Sequence, residues 1–486
     1  AKTMYSTNFG KLTSVEPGRY NGKDISVATL NIKSTSYIQN GAFYTENIPA
    51  ELDTAYEWYI DTDTNKLYYY PGENFSGIDI TLPKQKSTVT TPGINSIGDA
   101  GIVVYDSRNI SFEGISFRCI NGDGISIVKS QNVDISDGKI CGTGNSAVSV
   151  QGSAECDIDN IIIYDTYGSG VDINNRVWNI PTGYDRTLKH ENNVVSNCDI
   201  SNVGVGNGMS SGINMYGCGN TVRNSIIHDI NHQAIYMTGP EHTFENNDVH
   251  GACVKDADAG MIYIAGVNTQ GTVVRNNAIH DQPAQAWYFA MYLDNAASGV
   301  TIENNYIHDI SVDSENGGIW VNGGSDVTVK DNVIANIPHS VSGSIMPHGV
   351  NFHKIIVPPN GPTYKTLNAI YGANSSYGDI WKTKYPHLYK LYTDIKENII
   401  VDEETGEHTC NDTSIGKMKN FTVTGNVIAA CEKPGNRGVF SITKEIAQEE
   451  TNVVPNLAYG STVTPSVEGF EDNIRLTYSE YMANKD

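Results

Sequence analysis

The sequence has few cationic residues and no long apolar run. Its 486 residues include 32 Lys and Arg against 55 Asp and Glu, which gives a formal net charge of −23 at pH 7. A nucleic-acid-binding protein needs a basic face, so this charge argues against nucleic acid as a partner. No stretch approaches the roughly 18 apolar residues that span a bilayer. We therefore expect neither a nucleic-acid partner nor a membrane span.

The eight cysteines contain no C-x-x-C pair, so a zinc-finger type of site is not expected. Two pairs, Cys119 with Cys141 and Cys198 with Cys218, are separated by about the length of the repeat described below. Cysteines so spaced are predicted to stack inside a solenoid as free, buried, small hydrophobes, and disulfides are the alternative.

Helical periodicity is almost absent, and a repeated N-x-[IV]-H-D phrase stands in its place. The copies read VRNSIIHD at 222–229, FENNDVHG at 244–251, VRNNAIHD at 274–281 and IENNYIHD at 302–309, with weaker copies at 329–336 and 423–430. One position of the phrase is held in turn by Ser225, Asn247, Asn277, Asn305, Asn332 and Asn426. A repeat of constant content and slightly variable length indicates a solenoid whose loops leave one side.

The residues also indicate the type of coil. Short β-branched runs such as TVVRN and VTIEN are followed in each repeat by a second strand, as in IYMT at 235–238 and MYLD at 291–294. Alternation places the first and third residues of these strands inward. Repeats of this length without helix predict an all-β parallel β-helix, with about ten coils between residues 100 and 345 and one more near 420–443. Asparagine columns at its turns are expected to bond from coil to coil and to adopt left-handed conformations.

Four regions follow from this pattern. Residues 1–95 form an N-terminal β region, packed on the solenoid, with a hairpin at 57–72. Residues 96–345 form the coils. Residues 338–417 are a Pro- and Tyr-rich insertion with a short helix at 379–399, and it is predicted to be the wall of a groove. Residues 418–486 hold the last coil and an acidic tail.

Aromatic and polar residues occupy the outward positions of the second strands. We interpret these columns as a sugar-binding surface, because pyranose rings stack on aromatic faces and hydroxyls bond to Asp and Asn. Stacking of the aromatics for stability alone is the alternative. The candidate substrate-binding residues are Tyr216, Tyr236, Tyr263, Tyr292, Trp320 and Asn322, with Arg176 and Trp178 of loop 174–191.

Carboxylates concentrate beside these columns. Asp256 and Asp258 precede one second strand, and Asp294 lies on the outward face of the next. Adjacent parallel strands are about 4.8 Å apart, so Asp258 and Asp294 are expected within roughly 5–10 Å, a spacing suited to glycoside hydrolysis. His280 lies between them in sequence and is a further catalytic candidate, although the column of histidines 228, 250, 280 and 308 is typical of hydrogen-bonded turn residues. A structural role for each aspartate is the alternative.

Several segments resemble glycoside hydrolase family 141, a group of right-handed parallel β-helix enzymes that includes α-L-fucosidases and xylanases. The similar segments are FYTENIPAELDTAYEWYIDTDTNKLYYYP at 43–71, DADAGMIYIAG at 256–266, AMYLDN at 290–295 and IWKTKYPHL at 380–388. The resemblance implies that Asp258 and Asp294 are the catalytic pair. Met261 and Asn295 depart from the family pattern, and its later D-x-RG segment is missing.

Three functions remain open from the sequence. The first is a secreted, monomeric glycoside hydrolase acting on plant cell-wall polysaccharide without a cofactor. The second is a polysaccharide lyase, in which Lys255, Arg223, Arg275 or His280 is the base and Asp256 with Asp258 binds Ca²⁺. The third is a carbohydrate-binding solenoid without catalysis.

Overall fold

The computed structural model divides the chain into two compact units, residues 1–84 and 85–486. No helix among the described residues is long and apolar enough to cross a membrane. The described residues are 2–3, 6–7, 12–20, 22–30, 47–61, 63–71, 100–174, 187–206, 210–254, 258–282, 288–310, 317–337, 345–348, 361–373, 375–401, 408–410, 415, 420–430, 474–477 and 483.

The first unit is built from antiparallel strands. Trp58–Asp61 pairs with Lys66–Tyr69, which confirms the predicted hairpin. Its turn is held by the Asp61 carboxylate, which accepts hydrogen bonds from the backbone N–H groups of Asp63 at 3.0 Å and Thr64 at 3.2 Å. The other elements are the strands Lys2–Thr3, Ser6–Thr7, Leu12–Tyr20 and Lys23–Leu30 and the 3₁₀ turn Pro49–Glu51.

The second unit is a parallel β-helix, as the sequence predicts. In the part of the chain that the structure describes, one face is a ten-stranded parallel sheet, here called sheet A. The strands are Ile102–Tyr105, Ile125–Val128, Val148–Gln151, Val171–Asn174, Ile213–Tyr216, Ile235–Thr238, Ala259–Ala265, Tyr288–Asp294, Gly317–Asn322 and Ile345–His348.

Two further parallel ladders complete each coil. Sheet B contains Arg108–Glu113, the first halves of Gln131–Thr143 and Ala154–Thr166, Val194–Ser196, Thr221–Arg223, Thr243–Glu245, Val273–Arg275, Thr301–Glu303, Thr328–Lys330 and Thr422–Thr424. Sheet C contains Ser116–Ile120, the second halves of the same two long strands, Asp199–Val203, Ile226–His228, Asp248–His250, Ala278–Gln282, Tyr306–Ile310, Val333–Ile337, Val427–Ala430 and Ile474–Thr477. The chain runs through A, B and C in turn.

A continuous apolar core fills the space between the three sheets. The inward positions of sheet A stack Ile235, Ile262, Met291 and Ile319, all fully buried. Each such side chain contributes about 1.5–3 kcal/mol through burial. Alternation of inward apolar residues therefore sets which residues remain on the outer face.

The predicted asparagine ladder lies at the corner between sheets B and C and is confirmed. The Asn277 side-chain oxygen accepts the backbone N–H of Asn247 at 2.9 Å, and its amide donates to the Asn305 side chain at 2.9 Å. Asn332 bonds in the same way to Asn426, across 94 residues of chain. The insertion therefore interrupts the sequence but not the stack of coils.

The left-handed conformation is adopted by the residue that precedes each asparagine of the ladder. Asn246, Asn276 and Asn304 have φ values of 57°, 58° and 55°, whereas Asn247, Asn277 and Asn305 do not have positive φ. The expectation that the ladder residues themselves adopt this conformation is therefore wrong. Each corner needs one residue that turns the chain and another whose amide bonds to the next coil.

The described part of the insertion contains three helices, whereas one was expected. They are α1 (Pro362–Tyr371), α2 (Gly378–Lys384) and α3 (Pro386–Asn398). A short hairpin of Ile399–Val401 with His408–Cys410 follows. Trp381 and Leu388 of the helices pack with Val267, which follows a strand of sheet A. The helices therefore rest against the corner between sheets A and B.

Cys119, Cys141, Cys156, Cys198, Cys218 and Cys253 form no disulfide, as predicted, but Cys119 and Cys141 are only half-buried. Cys198 lies at the corner between sheets B and C and Cys218 at the corner between A and B, so the expected stacking of this pair is wrong. Burial raises the pKa of the Cys156 and Cys198 thiols to about 12, so both are unreactive at neutral pH.

Candidate active site

The outward face of sheet A carries the predicted columns in the predicted register. Strand pairing aligns one column as Asp172, Asn214, Tyr236, Tyr263, Tyr292 and Trp320. In the neighbouring column, Ala265 is aligned with Asp294. Parallel strands without a register shift bring these side chains to adjacent coils about 4.8 Å apart.

Three tyrosines form a continuous stack on this face. The ring centroids of Tyr216 and Tyr236 are 5.3 Å apart, and those of Tyr236 and Tyr263 are 5.6 Å apart with planes inclined by only 14°. All three side chains are half-buried. The three rings stabilise one another by stacking, and part of their aromatic surface remains accessible to a ligand.

Tyr292 and Trp320 lie deeper than the sequence suggests. They are only 5% and 4% exposed, and Phe289 packs edge-on against both, with centroids 5.4 and 4.2 Å away. Their rings therefore contact one another and leave little free face for a sugar. In this part of the sheet, the alternative of aromatic stacking for stability describes the rings better than a sugar platform does.

Phe289 is the aromatic that sequence reasoning missed. Ala290 and Met291 are consecutive, yet both belong to the solenoid core, so the alternation of the strand changes phase between them. Phe289 is thereby turned to the outer face, where it joins Tyr292 and Trp320. The seven-residue length of the strand, against four in most of sheet A, is the signal that strict alternation fails here.

Asp294 accepts three hydrogen bonds on the outer face. Asn322 donates to its Oδ1 at 2.6 Å, Asn295 donates to its Oδ2 at 3.0 Å, and the Tyr263 hydroxyl donates to Oδ2. Burial, followed by the nearby Asp294 charge, raises the pKa of Tyr263 well above its usual range. Tyr263 therefore acts as a donor to this carboxylate at any physiological pH.

Asp258 belongs to the same hydrogen-bonded group. It precedes the strand Ala259–Ala265 with a φ of 58° and accepts the Tyr292 hydroxyl at 3.3 Å. The Asn322 amide reaches the same hydroxyl at 3.5 Å while it donates to Asp294. Two side chains of neighbouring coils thus link the predicted carboxylate pair.

His280 lies on sheet C and not beside this pair. It belongs to a stack in which the rings of His228, His250, His280 and His308 follow one another at 5.0, 5.1 and 4.8 Å. Its Nδ1 contacts Asp281 at 2.8 Å. The prediction of a column of hydrogen-bonded histidines is confirmed, but these histidines lie on the strands of sheet C and not in turns.

The remaining candidates divide into two groups. Asp256, Lys255, Arg176 and Trp178 lie outside the described residues. Arg223 and Arg275 lie on sheet B, where Arg275 pairs with Glu245 at 2.7 Å. The two described arginines proposed as lyase bases therefore occupy a different sheet from Asp258 and Asp294.

A second polar cluster occupies the corner between sheets A and B. The Glu241 carboxylate contacts His190, Lys384 and the Tyr385 hydroxyl. Burial alone would raise the pKa of Glu241, but these hydrogen bonds outweigh it and hold the pKa below its usual value. Because its members come from residues 190, 241, 384 and 385, nothing in the sequence spacing indicated this cluster.

Comparisons with known proteins agree with the fold. The sequence model of the right-handed β-helix region family matches residues 76–210 and 211–346, which is more than half of the chain. The chain therefore belongs to the right-handed β-helix family. No curated protein sequence matches it significantly. The resemblance to glycoside hydrolase family 141 stays a prediction.

Solved structures with similar folds are distant in sequence. A glycoside hydrolase has a TM-score of 0.48 and 16% identity over 66% of this chain, and the match spans 65% of that protein, just under two thirds. The A-module of a mannuronan C-5 epimerase from Azotobacter vinelandii has a TM-score of 0.36 and 11% identity over 78% of this chain and 87% of its own. The tailspike protein 2 enzymatic domain of bacteriophage CBA120 has a TM-score of 0.33 and 10% identity, covering 68% and 43%. These likenesses concern the fold alone.

Proposed function

We propose that this member of the right-handed β-helix family is a glycoside hydrolase whose catalytic carboxylates are Asp258 and Asp294. The observation that carries the proposal is the hydrogen-bonded group on the outer face of sheet A. Tyr292 donates to Asp258, and Asn322 contacts both Tyr292 and Asp294. Hydrolysis of a glycosidic bond requires at least two carboxylates in fixed positions on either side of that bond.

The surroundings of the two carboxylates suit different roles. Asp294 accepts hydrogen bonds from three donors, which fix the position of a carboxylate that acts as nucleophile or as base toward water. Asp258 accepts a hydrogen bond from the Tyr292 hydroxyl at 3.3 Å, and Asp294 already has the role of nucleophile or base. Asp258 is therefore assigned as the acid that protonates the leaving oxygen.

The charge of the face favours a neutral glycan. None of the described strands of sheet A contains a lysine or arginine, whereas Asp172 and Asp294 both lie on its outer positions. A uronate-rich polymer would meet repulsion without compensating cations. We assign a neutral plant cell-wall polysaccharide or oligosaccharide as the substrate and, accordingly, a secreted protein.

Elimination is less well supported, because it needs a base near the sugar carbon that loses its proton. Tyr263 is the nearest phenol to Asp294, and its raised pKa keeps it protonated. The described Arg223, Arg275 and His280 lie on sheets B and C. None of these three candidate bases therefore lies on the sheet that carries Asp294.

The test is a screen of the full chain on neutral and uronate-containing plant polysaccharides, with Ca²⁺ or with chelator. Reducing ends and ultraviolet absorbance of unsaturated products are followed together. We expect reducing ends without absorbance, and a loss of about 10²–10⁴-fold in rate for Asp258→Asn and for Asp294→Asn. Asp281→Asn is the matched control, since this exposed aspartate of the coil that follows Asp258 lies on sheet C.

Other outcomes would reject the proposal. Absorbance that depends on Ca²⁺ would establish a lyase. Binding of a glycan without turnover, unchanged in both aspartate variants, would establish a carbohydrate-binding solenoid. Full activity in Asp294→Asn would show that the reaction occurs elsewhere on the molecule.

A further inference from the structure

Three metal-ligating side chains meet at the corner between sheets A and B. His190, Cys218 and Glu241 come from three successive coils, and each offers a ligand atom within 4.8 Å of the other two. The backbone fixes these coils together, since Glu191 N–H donates to the Cys218 carbonyl at 2.9 Å and Gly219 N–H donates to the Pro240 carbonyl at 3.0 Å. The cluster lies on the solenoid, and its three residues are between two and four coils from Asp294.

Glycine brings the imidazole close to the thiol. Gly219 has a φ of 68°, and a Cβ at this position would overlap the ring of His190. The residue next to Cys218 must therefore be glycine for His190 to lie over this corner. Cys218 itself is fully buried and is not part of a disulfide.

The two oxygens of Glu241 face different groups. Oε1 contacts the Lys384 ammonium and the Tyr385 hydroxyl, both from the helical insertion. Oε2 faces the Nε2 atom of His190. Outer contacts that orient one oxygen of a carboxylate while the other faces the ligand set are typical of metal sites in proteins.

We propose that His190, Cys218 and Glu241 form a binding site for a divalent transition metal of the Zn²⁺ class. Imidazole nitrogen, thiolate sulfur and a single carboxylate oxygen suit Zn²⁺, whereas Ca²⁺ and Mg²⁺ require mostly oxygen ligands. Binding releases the proton of the Cys218 thiol to solvent, and a water molecule completes the tetrahedral set. The metal joins three coils to one another and fixes the Glu241 carboxylate on which the insertion rests.

A salt-bridge junction without metal is the competing explanation of the same contacts. It involves His190, Glu241 and Lys384, whereas the metal site also uses the Cys218 thiol, whose sulfur lies within 4.8 Å of the other ligand atoms. The two explanations differ in one respect that can be measured. Only the metal site predicts a metal–sulfur bond.

The experiment uses the full chain, stripped with chelator and titrated with Zn²⁺ by calorimetry and with Co²⁺ by absorption spectroscopy. We expect one Zn²⁺ per chain and a thiolate-to-cobalt charge-transfer band. Cys218→Ser should abolish the band and weaken Zn²⁺ binding at least about 100-fold. Glu241→Gln and His190→Ala provide independent variants if Cys218→Ser does not fold, and each should weaken binding comparably.

Two controls separate this site from other donors. Cys253→Ser removes another fully buried cysteine, and His250→Ala breaks the Asp248, His250 and His280 group on sheet C, the other set of potential ligands among the described residues. Both controls should retain the cobalt band and the stoichiometry. The proposal is overturned if the native chain shows no saturable binding, if the band survives Cys218→Ser, or if His250→Ala abolishes binding while Cys218→Ser does not.

Discussion

Asn276 and Asn277 are neighbours in sequence with different physical roles, so substitution should separate them sharply. Asn277 is buried, and its side chain makes four hydrogen bonds: two from Asn247 (2.9 and 3.1 Å), one to the Phe244 carbonyl (3.1 Å) and one to Asn305 (2.9 Å). Asn276 is exposed with a φ of 58°. One residue satisfies buried polar groups, and the other only turns the chain.

The magnitude for Asn277→Ala follows from the groups left without a partner. The Asn247 N–H and the Phe244 carbonyl lose their bonds to Asn277, whereas the Asn247 amide retains its bond to Val222. Each buried polar group left without a hydrogen-bond partner costs about 1–3 kcal/mol. Because two such groups are left, the free energy of unfolding should fall by about 4 kcal/mol. Asn277→Gly should be at least as damaging.

At position 276 the order of the substitutions reverses. Asn276→Ala should cost about 1 kcal/mol because alanine disfavours positive φ, whereas Asn276→Gly should be nearly neutral because glycine adopts it freely. Denaturant unfolding followed by far-ultraviolet circular dichroism measures all four variants. Equal losses for the two alanine variants, or less than about 1 kcal/mol for Asn277→Ala, would refute the assignment of the ladder.

Two further predictions concern the outer face and the pH dependence. Tyr263→Phe removes one donor to Asp294 and should lower kcat about 10- to 100-fold with the fold intact, as measured on the substrate found by the screen, and an unchanged kcat would separate Tyr263 from the reaction. Burial raises the pKa of the Asp123 carboxyl from 3.8 to about 6, so the folded chain binds this proton more tightly than the unfolded chain and loses stability as the pH rises through that interval. Asp123→Asn should therefore stabilise the protein by about 3 kcal/mol more at pH 7 than at pH 3.5, and urea unfolding with the same pH dependence in both proteins would contradict it.

Periodic features of the fold were predictable because they depend on local spacing. The inward position of Ile262 and the outward position of Tyr263 follow from alternation alone, and the strand pairing confirms that Tyr263 lies beside Tyr292. The column of Asn277 and Asn305 follows from a repeat that returns the chain to the same corner. Such regularities need no knowledge of the rest of the chain.

The sequence did not predict the features that depart from strict strand alternation or that lie outside the repeat. The phase shift at Ala290 and Met291 turned Phe289 outward, and its packing buried Tyr292 and Trp320. The single expected helix of the insertion proved to be part of a three-helix cluster that includes Val267 of the solenoid. These outcomes depend on packing between elements, which residue spacing does not encode.

The sequence by itself determined the solenoid, its columns and the proximity of Asp258 and Asp294. In a solenoid, equivalent residues of successive repeats lie one above the other, separated by the distance between neighbouring strands. Only the tertiary structure decided what surrounds these groups. It placed Tyr263, Asn295 and Asn322 on Asp294, and it assembled His190, Cys218 and Glu241 beside Lys384. Contacts of this kind join residues from different coils and from the insertion, and their chemistry exists only after the chain has folded.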